Sequence, residues 1–302
     1  MEHGAPVLLP TLTFDAERRE VLTLPAGNAQ SIGATLHLPV DGIKPTGRAA
    51  ILIPGWSGPR TGPAELLVGL AQKLAVEGTP ALRIDLHGRG EATGRFDDGD
   101  LDRMIADASA ALDALPKELA KLYPSAHFEV CVGGICSGGN VALGLASLRP
   151  KEVASVAALS TLPFQPARTA GFERRRRWKN LKALLKKALK PSNWLRLLRG
   201  EVNVGRVKES VTASEKKAQG ERNPKDSARN IEAELKNWKG RALFVYGGGD
   251  EEAAPARAYF EKLHAQGVGS AARFETVAGA NHNFYGAAWR EDVARLLLEF
   301  LK

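Results

Sequence analysis

The segment 130–140, VCVGGICSGGN, has the residue types of a strand that turns sharply into a helix. In such a turn the residue at the apex takes strained backbone dihedrals, and small residues two positions before and after it let the two backbones approach. With Cys136 at the apex these neighbours are Gly134 and Gly138, a G-x-C-x-G-G pattern. The pattern therefore favours the thiol of Cys136 as a nucleophile presented on a nucleophile elbow.

Two other interpretations of this segment compete. With Ser137 at the apex, one neighbour is the bulky Ile135, so Ser137 is the alternative nucleophile in a strained register. A phosphate-binding loop is disfavoured because Gly139 and Asn140 stand where Lys and Ser or Thr are needed. The plain structural interpretation is a glycine-rich turn that packs a helix on a strand, with Cys136 as a small buried side chain.

A cysteine nucleophile needs a histidine base, and the base needs a carboxylate that orients it. Asp250 follows a buried-looking strand and a run of glycines, and His282 follows the next strand. The chain order Cys136, Asp250, His282 is the order expected for this type of site. The alternatives are Glu251 and Glu252 for the carboxylate and His87 for the base.

Two backbone N–H groups are expected to stabilise the oxyanion that forms when the thiolate attacks a carbonyl. The residue after the nucleophile supplies one of them, which is Ser137. The glycine-rich loop after the third strand, residues 53–62, is expected to supply the other from Trp56, with Gly55 and Ser57 as alternatives. The turn that contains His87, D-L-H-G-R-G, is interpreted mainly as a structural border of the site.

Eight short aliphatic runs predict the strands that position these residues, and from the third onward they alternate with helical patterns. Two strands followed by repeated strand-helix units indicate a mostly parallel, doubly wound α/β sheet. The predicted strands are 20–24, 34–40, 49–53, 81–85, 128–132, 153–160, 241–246 and 272–277. The predicted helices are 65–76, 100–115, 139–148, 256–266 and 287–301.

The alternation stops between residues 163 and 240. This segment has 21 of the 42 Lys and Arg residues and 8 of the 34 Asp and Glu residues, which gives it a net charge of +13. The rest of the chain has 21 basic and 26 acidic residues, a net charge of −5. Its residues from Arg174 to Lys190 have the pattern of a basic amphipathic helix. We therefore predict a core of residues 1–162 and 241–302, with 163–240 as a basic helical lid inserted after the sixth strand.

The composition limits the other function classes. Only two cysteines occur, Cys131 and Cys136, which excludes a disulfide-stapled scaffold. Neither has a His or Cys partner at metal-ligand spacing, so no metal site is expected. No nucleotide cofactor is expected either. The first twenty residues have no apolar stretch of signal-peptide type, which indicates a cytoplasmic protein. The basic segment is expected to pack over the site, with an anionic membrane surface or an acidic partner as the next interpretation. No specific nucleic acid is predicted.

The combination of P-G-W at 54–56, D-x-H-G-x-G at 85–90, G-x-C-x-G-G at 134–139, Asp250 and His282 resembles the α/β-hydrolase superfamily over nearly the whole chain. The cysteine elbow is similar to that of dienelactone hydrolase. More weakly, the segments 81–85 and 194–202 resemble bacterial hydrolases associated with exosortase and exopolysaccharide loci. The resemblance implies an α/β-hydrolase fold with a Cys136, His282, Asp250 triad.

The expected activity is cleavage of an ester or thioester through an acyl-enzyme on Cys136, with a small-molecule or carrier-bound acyl substrate. Because the acyl-enzyme is itself a thioester, amines, thiols and alcohols can intercept it, so an acyltransferase is the second hypothesis. The third hypothesis is a binding protein of the same fold that does not use its triad.

Overall fold

The computed structural model describes residues 12–13, 17–27, 30–164 and 223–302. The chain divides into two compact units, Met1–Pro163 with Ser227–Lys302, and Phe164–Asp226. All elements named below belong to the first of these units.

A single mixed sheet forms the centre of this unit, and nine of its strands lie in the described part of the chain. They are β1 (Leu12–Thr13), β2 (Arg18–Ala26), β3 (Gln30–Leu38), β4 (Arg48–Ile53), β5 (Ala81–Ile84), β6 (Glu129–Ile135), β7 (Val153–Leu159), β8 (Arg241–Gly247) and β9 (Ala271–Val277). The eight predicted strands are all present, and the two-residue β1 is an additional strand beside β2.

The strand order is β1-β2-β3-β5-β4-β6-β7-β8-β9. The first three strands and β5 pair antiparallel, and all pairs from β5 to β9 are parallel. The central parallel strands are buried along almost their whole length, which explains why they are uninterrupted apolar runs in the sequence. Because the strands are parallel, the loops that follow β4, β5, β6, β7, β8 and β9 meet at one edge of the sheet.

Six α-helices lie in the described residues: α1 (Leu66–Val76), α2 (Leu101–Leu122), α3 (Ser137–Leu148), α4 (Ile231–Glu234), α5 (Ala253–Ala265) and α6 (Ala287–Phe300). The five predicted helices are confirmed. Helix α2 continues beyond the predicted residue 115 and through Pro116, and the buried Leu119 continues its apolar face. Helices α1 and α6 share one continuous apolar cluster with β4, β6, β7 and β8.

The predicted boundary of the insertion at residue 240 is wrong, because Ser227–Gly240 folds with the core unit. Trp238 is fully buried, and its indole Nε1 donates a hydrogen bond to the backbone carbonyl of Val153 at 2.7 Å. Ile231 and Leu235 are buried as well. These three apolar side chains are separated by polar and charged residues, so they form no continuous apolar run in the sequence. The predicted basic amphipathic helix lies outside the described residues, and its role as a lid stays a prediction.

Candidate active site

Cys136 stands at the apex of the turn from β6 into α3. Its backbone dihedrals are φ 56° and ψ −121°, and its N–H donates to the carbonyl of Leu159 on β7 at 2.8 Å. A positive φ at a residue other than glycine costs on the order of 1–3 kcal/mol and persists only where the surrounding structure enforces it. The thiol therefore stands on a strained turn at the carboxyl end of the central parallel strands.

The glycines on both sides of Cys136 explain why this turn can form. A Cβ atom added to Gly134 would lie 2.2 Å from the backbone of Gly138, and one added to Gly138 would lie 2.4 Å from the carbonyl oxygen of Pro54. No side chain fits at either position. The structure has the register in which Cys136 stands at the apex, and Ser137 is the first residue of α3. The Oγ atom of Ser137 is buried and has no hydrogen-bond partner within the described part of the chain.

His282 and Asp250 lie together at the same edge of the sheet, on the loops after β9 and β8. The Nδ1 atom of His282 is 2.7 Å from Oδ2 of Asp250, and the two side chains are 26% and 8% exposed. The second carboxylate oxygen of Asp250 accepts from the N–H of Glu252 at 3.1 Å. Asp250 thus orients the imidazole and also stabilises the turn that leads into α5.

The two loops hold each other through backbone hydrogen bonds. Gly248 donates to the carbonyl of Val277 and Gly249 donates to that of Ala280, both at 2.8 Å. A Cβ atom at Gly247 would lie 2.4 Å from the carbonyl oxygen of Ala280. The three consecutive glycines therefore allow the loop with the carboxylate to lie directly against the loop with the imidazole.

The His282 side chain also hydrogen-bonds to Cys136. Burial alone would lower the pKa of His282, but the hydrogen bonds to Asp250 and Cys136 outweigh burial and raise the pKa to about 10. At neutral pH the imidazole is accordingly protonated beside the sulfur. A neighbouring imidazolium favours the thiolate, which is the nucleophilic form of cysteine. The structure thus brings together Cys136, His282 and Asp250, as the sequence predicts.

The loop after β4 passes beside the thiol. A Cβ atom added to Gly55 would be 3.7 Å from Cβ of Cys136 and 3.6 Å from the carbonyl oxygen of Ile135, an ordinary van der Waals distance. Trp56, the predicted second oxyanion donor, is the next residue in this loop. Its carbonyl oxygen accepts a hydrogen bond from Nε of Arg89 at 2.6 Å.

His87, the competing candidate for the base, has a different environment. The His87 side chain is buried, and the backbone N–H of His87 donates to Oδ2 of Asp107 on α2 at 2.7 Å. Its ring packs over Gly94, where an added Cβ would lie 2.0 Å from Cε1. These contacts are those of a packed turn, in agreement with the predicted structural border.

A set of buried polar residues beside this site is not predicted from the sequence. Asp85 and Arg89 follow β5, and both are more than nine-tenths buried. Arg60 in the loop after β4 and Arg83 in β5 complete the set. The only sequence signal for it is the unusual presence of charged residues among apolar and glycine-rich segments.

Residues 12–13, 17–27, 30–164 and 223–302 contain no group of three His, Cys, Asp or Glu side chains placed to hold a metal ion. Among the helices of these residues, none is long and apolar enough to cross a membrane.

No protein-family model and no curated protein matches the chain. Solved structures match it in fold. An esterase from Pyrococcus furiosus matches with a TM-score of 0.64 and 17% identity, covering 98% of this chain and 97% of that one. Dienelactone hydrolase from Anabaena variabilis matches with a TM-score of 0.59 and 17% identity, covering 95% and 97%. Est1E from Butyrivibrio proteoclasticus with bound ferulic acid matches with a TM-score of 0.60 and 15% identity, covering 93% and 100%.

These likenesses and the sheet order show that the chain has the α/β-hydrolase fold, which confirms the predicted fold class.

Proposed function

We propose that this protein is an ester or thioester hydrolase that forms an acyl-enzyme on Cys136. The observation that carries the proposal is the strained turn that presents Cys136 to His282, whose other ring nitrogen lies 2.7 Å from Asp250. The matching solved structures named as esterases and as a dienelactone hydrolase support ester chemistry on this fold.

In the proposed acylation the Cys136 thiolate attacks the carbonyl carbon of the substrate and forms a C–S bond. The carbonyl electron pair moves to the oxygen, which becomes the oxyanion of a tetrahedral intermediate. When this intermediate collapses, the bond from carbon to the leaving oxygen or sulfur breaks. The leaving group takes the proton from the imidazolium of His282, and the acyl group stays on Cys136 as a thioester.

In the proposed deacylation His282 is neutral and takes a proton from a water molecule as that water attacks the thioester carbon. The second tetrahedral intermediate expels the thiolate of Cys136 and releases the carboxylic acid, which gives up its proton to the solvent. Asp250 stabilises the imidazolium that forms in this half-reaction and holds the ring in one orientation. An alcohol, amine or thiol in place of water would give acyl transfer.

The proposed oxyanion donors are the backbone N–H groups of Ser137 and Trp56. Ser137 is the first residue of α3, where helix geometry leaves an N–H without an intrahelical acceptor. Trp56 follows Gly55, where an added Cβ atom would lie 3.7 Å from Cβ of Cys136. The loss of one such donor typically costs about 2.7–4 kcal/mol of transition-state stabilisation.

The test is the identity of the residue that becomes acylated. The wild-type protein and the Cys136→Ala and Ser137→Ala variants are incubated with p-nitrophenyl acetate and a simple thioester, and the acylated peptide is sequenced by mass spectrometry. We expect the acyl group on Cys136, its absence in Cys136→Ala, and its presence in Ser137→Ala. Acylation of Ser137, or ester cleavage that survives in Cys136→Ala, would overturn the proposal.

The same incubation with added amine, thiol or alcohol acceptors distinguishes hydrolysis from acyl transfer. Hydrolysis as the main reaction predicts that the free acid remains the dominant product at millimolar acceptor. A dominant acceptor adduct would assign the protein to the acyltransferases instead, with the same nucleophile.

A further inference from the structure

The loop between β4 and α1, residues 54–62, is fastened to the turn after β5 by charged side chains. The N–H of Arg60 donates to Oδ1 of Asp85 at 2.6 Å, and its guanidinium forms an ion pair with Oδ2 of the same carboxylate. Asp85 is fully buried. The carbonyl oxygen of Arg60 accepts from the guanidinium of Arg83 at 3.0 Å. Arg60 also forms an ion pair with Glu91 at 2.7 Å, so the far end of the loop is held by four polar contacts with β5 and its turn.

A second arginine fastens the near end of the loop, beside the thiol. Arg89 donates from Nε to the carbonyl oxygen of Trp56 at 2.6 Å and from one terminal nitrogen to the carbonyl oxygen of His87 at 2.5 Å. Its guanidinium carbon lies 5.0 Å from the ring centre of Trp56 and 4.1 Å from that of Phe96. Arg89 thus contacts both the backbone and the side chain of Trp56.

Two backbone hydrogen bonds close turns within the loop: Gly58 donates to Gly55 at 3.1 Å and Gly62 donates to Pro59 at 3.0 Å. Glycines leave the backbone between the turns conformationally free. Arg89 restrains this segment from outside the loop, because it holds the carbonyl of Trp56, the residue that follows Gly55.

Arg89 is built into this place and is not a surface side chain that rests on the loop. It is 4% exposed, and burial lowers the pKa of its guanidinium, an effect that the charge of Asp107 partly opposes. Gly99 leaves space for the Arg89 guanidinium, because a Cβ atom at residue 99 would lie 2.3 Å from a terminal nitrogen of Arg89. The buried charge costs desolvation energy, and its hydrogen bonds to two carbonyls and its contacts with two aromatic rings counteract this cost. Its second terminal nitrogen is buried and has no hydrogen-bond partner among the described residues.

We infer that Arg89 is a positioning residue for the oxyanion site: it holds both the carbonyl and the indole ring of Trp56, and a residue held at these two points restrains the adjacent peptide that carries the Trp56 N–H. The inference rests on the proposed function, and it adds a residue that touches neither the substrate nor the reacting atoms. A displacement of about 1 Å in such a site costs on the order of 10²-fold in rate.

Two reactions of the same thiol separate positioning from a general loss of structure. Acylation by p-nitrophenyl acetate develops an oxyanion, whereas alkylation by iodoacetamide does not. In Arg89→Gln we expect the acylation rate to fall on the order of 10²-fold, as for the loss of one oxyanion donor, while the alkylation rate changes less than about twofold. Gly99→Ala, which keeps the arginine but displaces its guanidinium, is expected to change the rates in the same direction.

Arg149→Gln is the matched control. Arg149 is a partly buried arginine with several hydrogen bonds, but it lies just after the far end of α3 and contacts Asp113 and Glu152. The acylation rate of Arg149→Gln is expected to equal that of the wild-type protein. Equal losses of acylation and alkylation in Arg89→Gln, or an unchanged acylation rate in it, would overturn the inference.

Hydrogen exchange of the peptide 54–62 provides a readout that does not require activity. The N–H groups of Gly58, Arg60 and Gly62 are hydrogen-bonded in this loop, so a loosened loop exchanges them faster. We expect exchange at least tenfold faster in Arg89→Gln and Gly99→Ala than in the wild-type protein. If the wild-type protein lacks acylation that depends on Cys136, the proposed function fails. Unchanged exchange would overturn the inference on its own.

Discussion

The contact between Asp250 and His282 sets the alkaline limit of the proposed reaction. The leaving group needs the proton of the imidazolium, so acylation is lost when His282 is deprotonated. The pKa of His282 is raised to about 10 by its hydrogen bonds to Asp250 and Cys136 against the effect of burial. The pH dependence of kcat/KM reports the ionisations of the free enzyme. We therefore expect the wild-type profile to fall only near pH 10.

The substitution Asp250→Asn removes a negative charge whose oxygen lies 2.7 Å from the ring nitrogen. An opposite charge at such a distance typically changes a pKa by about 1–3 units, at about 1.4 kcal/mol per unit. The pKa of His282 and the alkaline limb of kcat/KM are then expected to move from about 10 to between about pH 7 and pH 9. Asparagine retains the size of the side chain, so the fold is expected to persist.

Two measurements check this prediction. The pH profile of kcat/KM is recorded with an alkyl ester, whose alkoxide leaving group must be protonated as it departs. The His282 pKa is read directly from the nitrogen chemical shifts of isotope-labelled histidine. Asp292→Asn is the control, since it removes the same charge from an exposed ion pair with Arg295 on the last helix. An alkaline limb that is the same in Asp250→Asn and wild type, or a wild-type His282 that titrates near 6.5, would refute the reasoning.

Three further predictions concern stability. Gly134→Ala would place a methyl group 2.2 Å from the backbone of Gly138, and we expect a loss of about 3 kcal/mol in urea unfolding because the backbone must shift. Trp238→Phe leaves a buried carbonyl without its donor, which costs about 2 kcal/mol in the same measurement. Burial lowers the pKa of the His37 imidazole below 6.5. The hydrogen bond to Glu17 raises this pKa, but it does not offset the combined effect of burial and of the Arg83 charge. The unfolded chain then binds the proton first as pH falls, so stability is expected to decrease below pH 6.5, with a smaller slope in His37→Gln.

The elbow could be predicted from the sequence because its constraint is local. Gly134 and Gly138 flank Cys136 within five consecutive residues, and a side chain at Gly134 would clash with Gly138 inside the same segment. The clash of a side chain at Gly138 is with Pro54 after β4, and only the structure shows it. The chain order of Asp250 and His282 is also readable, because each follows a strand with a strong apolar pattern. Periodicity gives the strands, and parallel pairing brings their carboxyl ends to one edge.

The end of the insertion could not be predicted in the same way. Residues 227–240 carry five charged side chains with a net charge of +1, and three separated apolar side chains, Ile231, Leu235 and Trp238, determine where the stretch packs. A few buried anchors suffice to dock such a segment on the core. A boundary drawn where the next apolar run begins, at residue 241, therefore falls too late in the chain.

The role of Arg89 depends on the lateral order of the strands, which no local pattern contains. Strands β4 and β5 pair in parallel with Ala50 opposite Ala81 and Leu52 opposite Arg83, so both strands end level and the loops that follow them meet. This pairing places Arg89 against Trp56 across 33 residues of sequence. If β4 had β7 as its neighbour in place of β5, the same arginine would lie away from the thiol. Substitutions in the turn after β5 are therefore expected to alter acylation through the loop that this turn anchors.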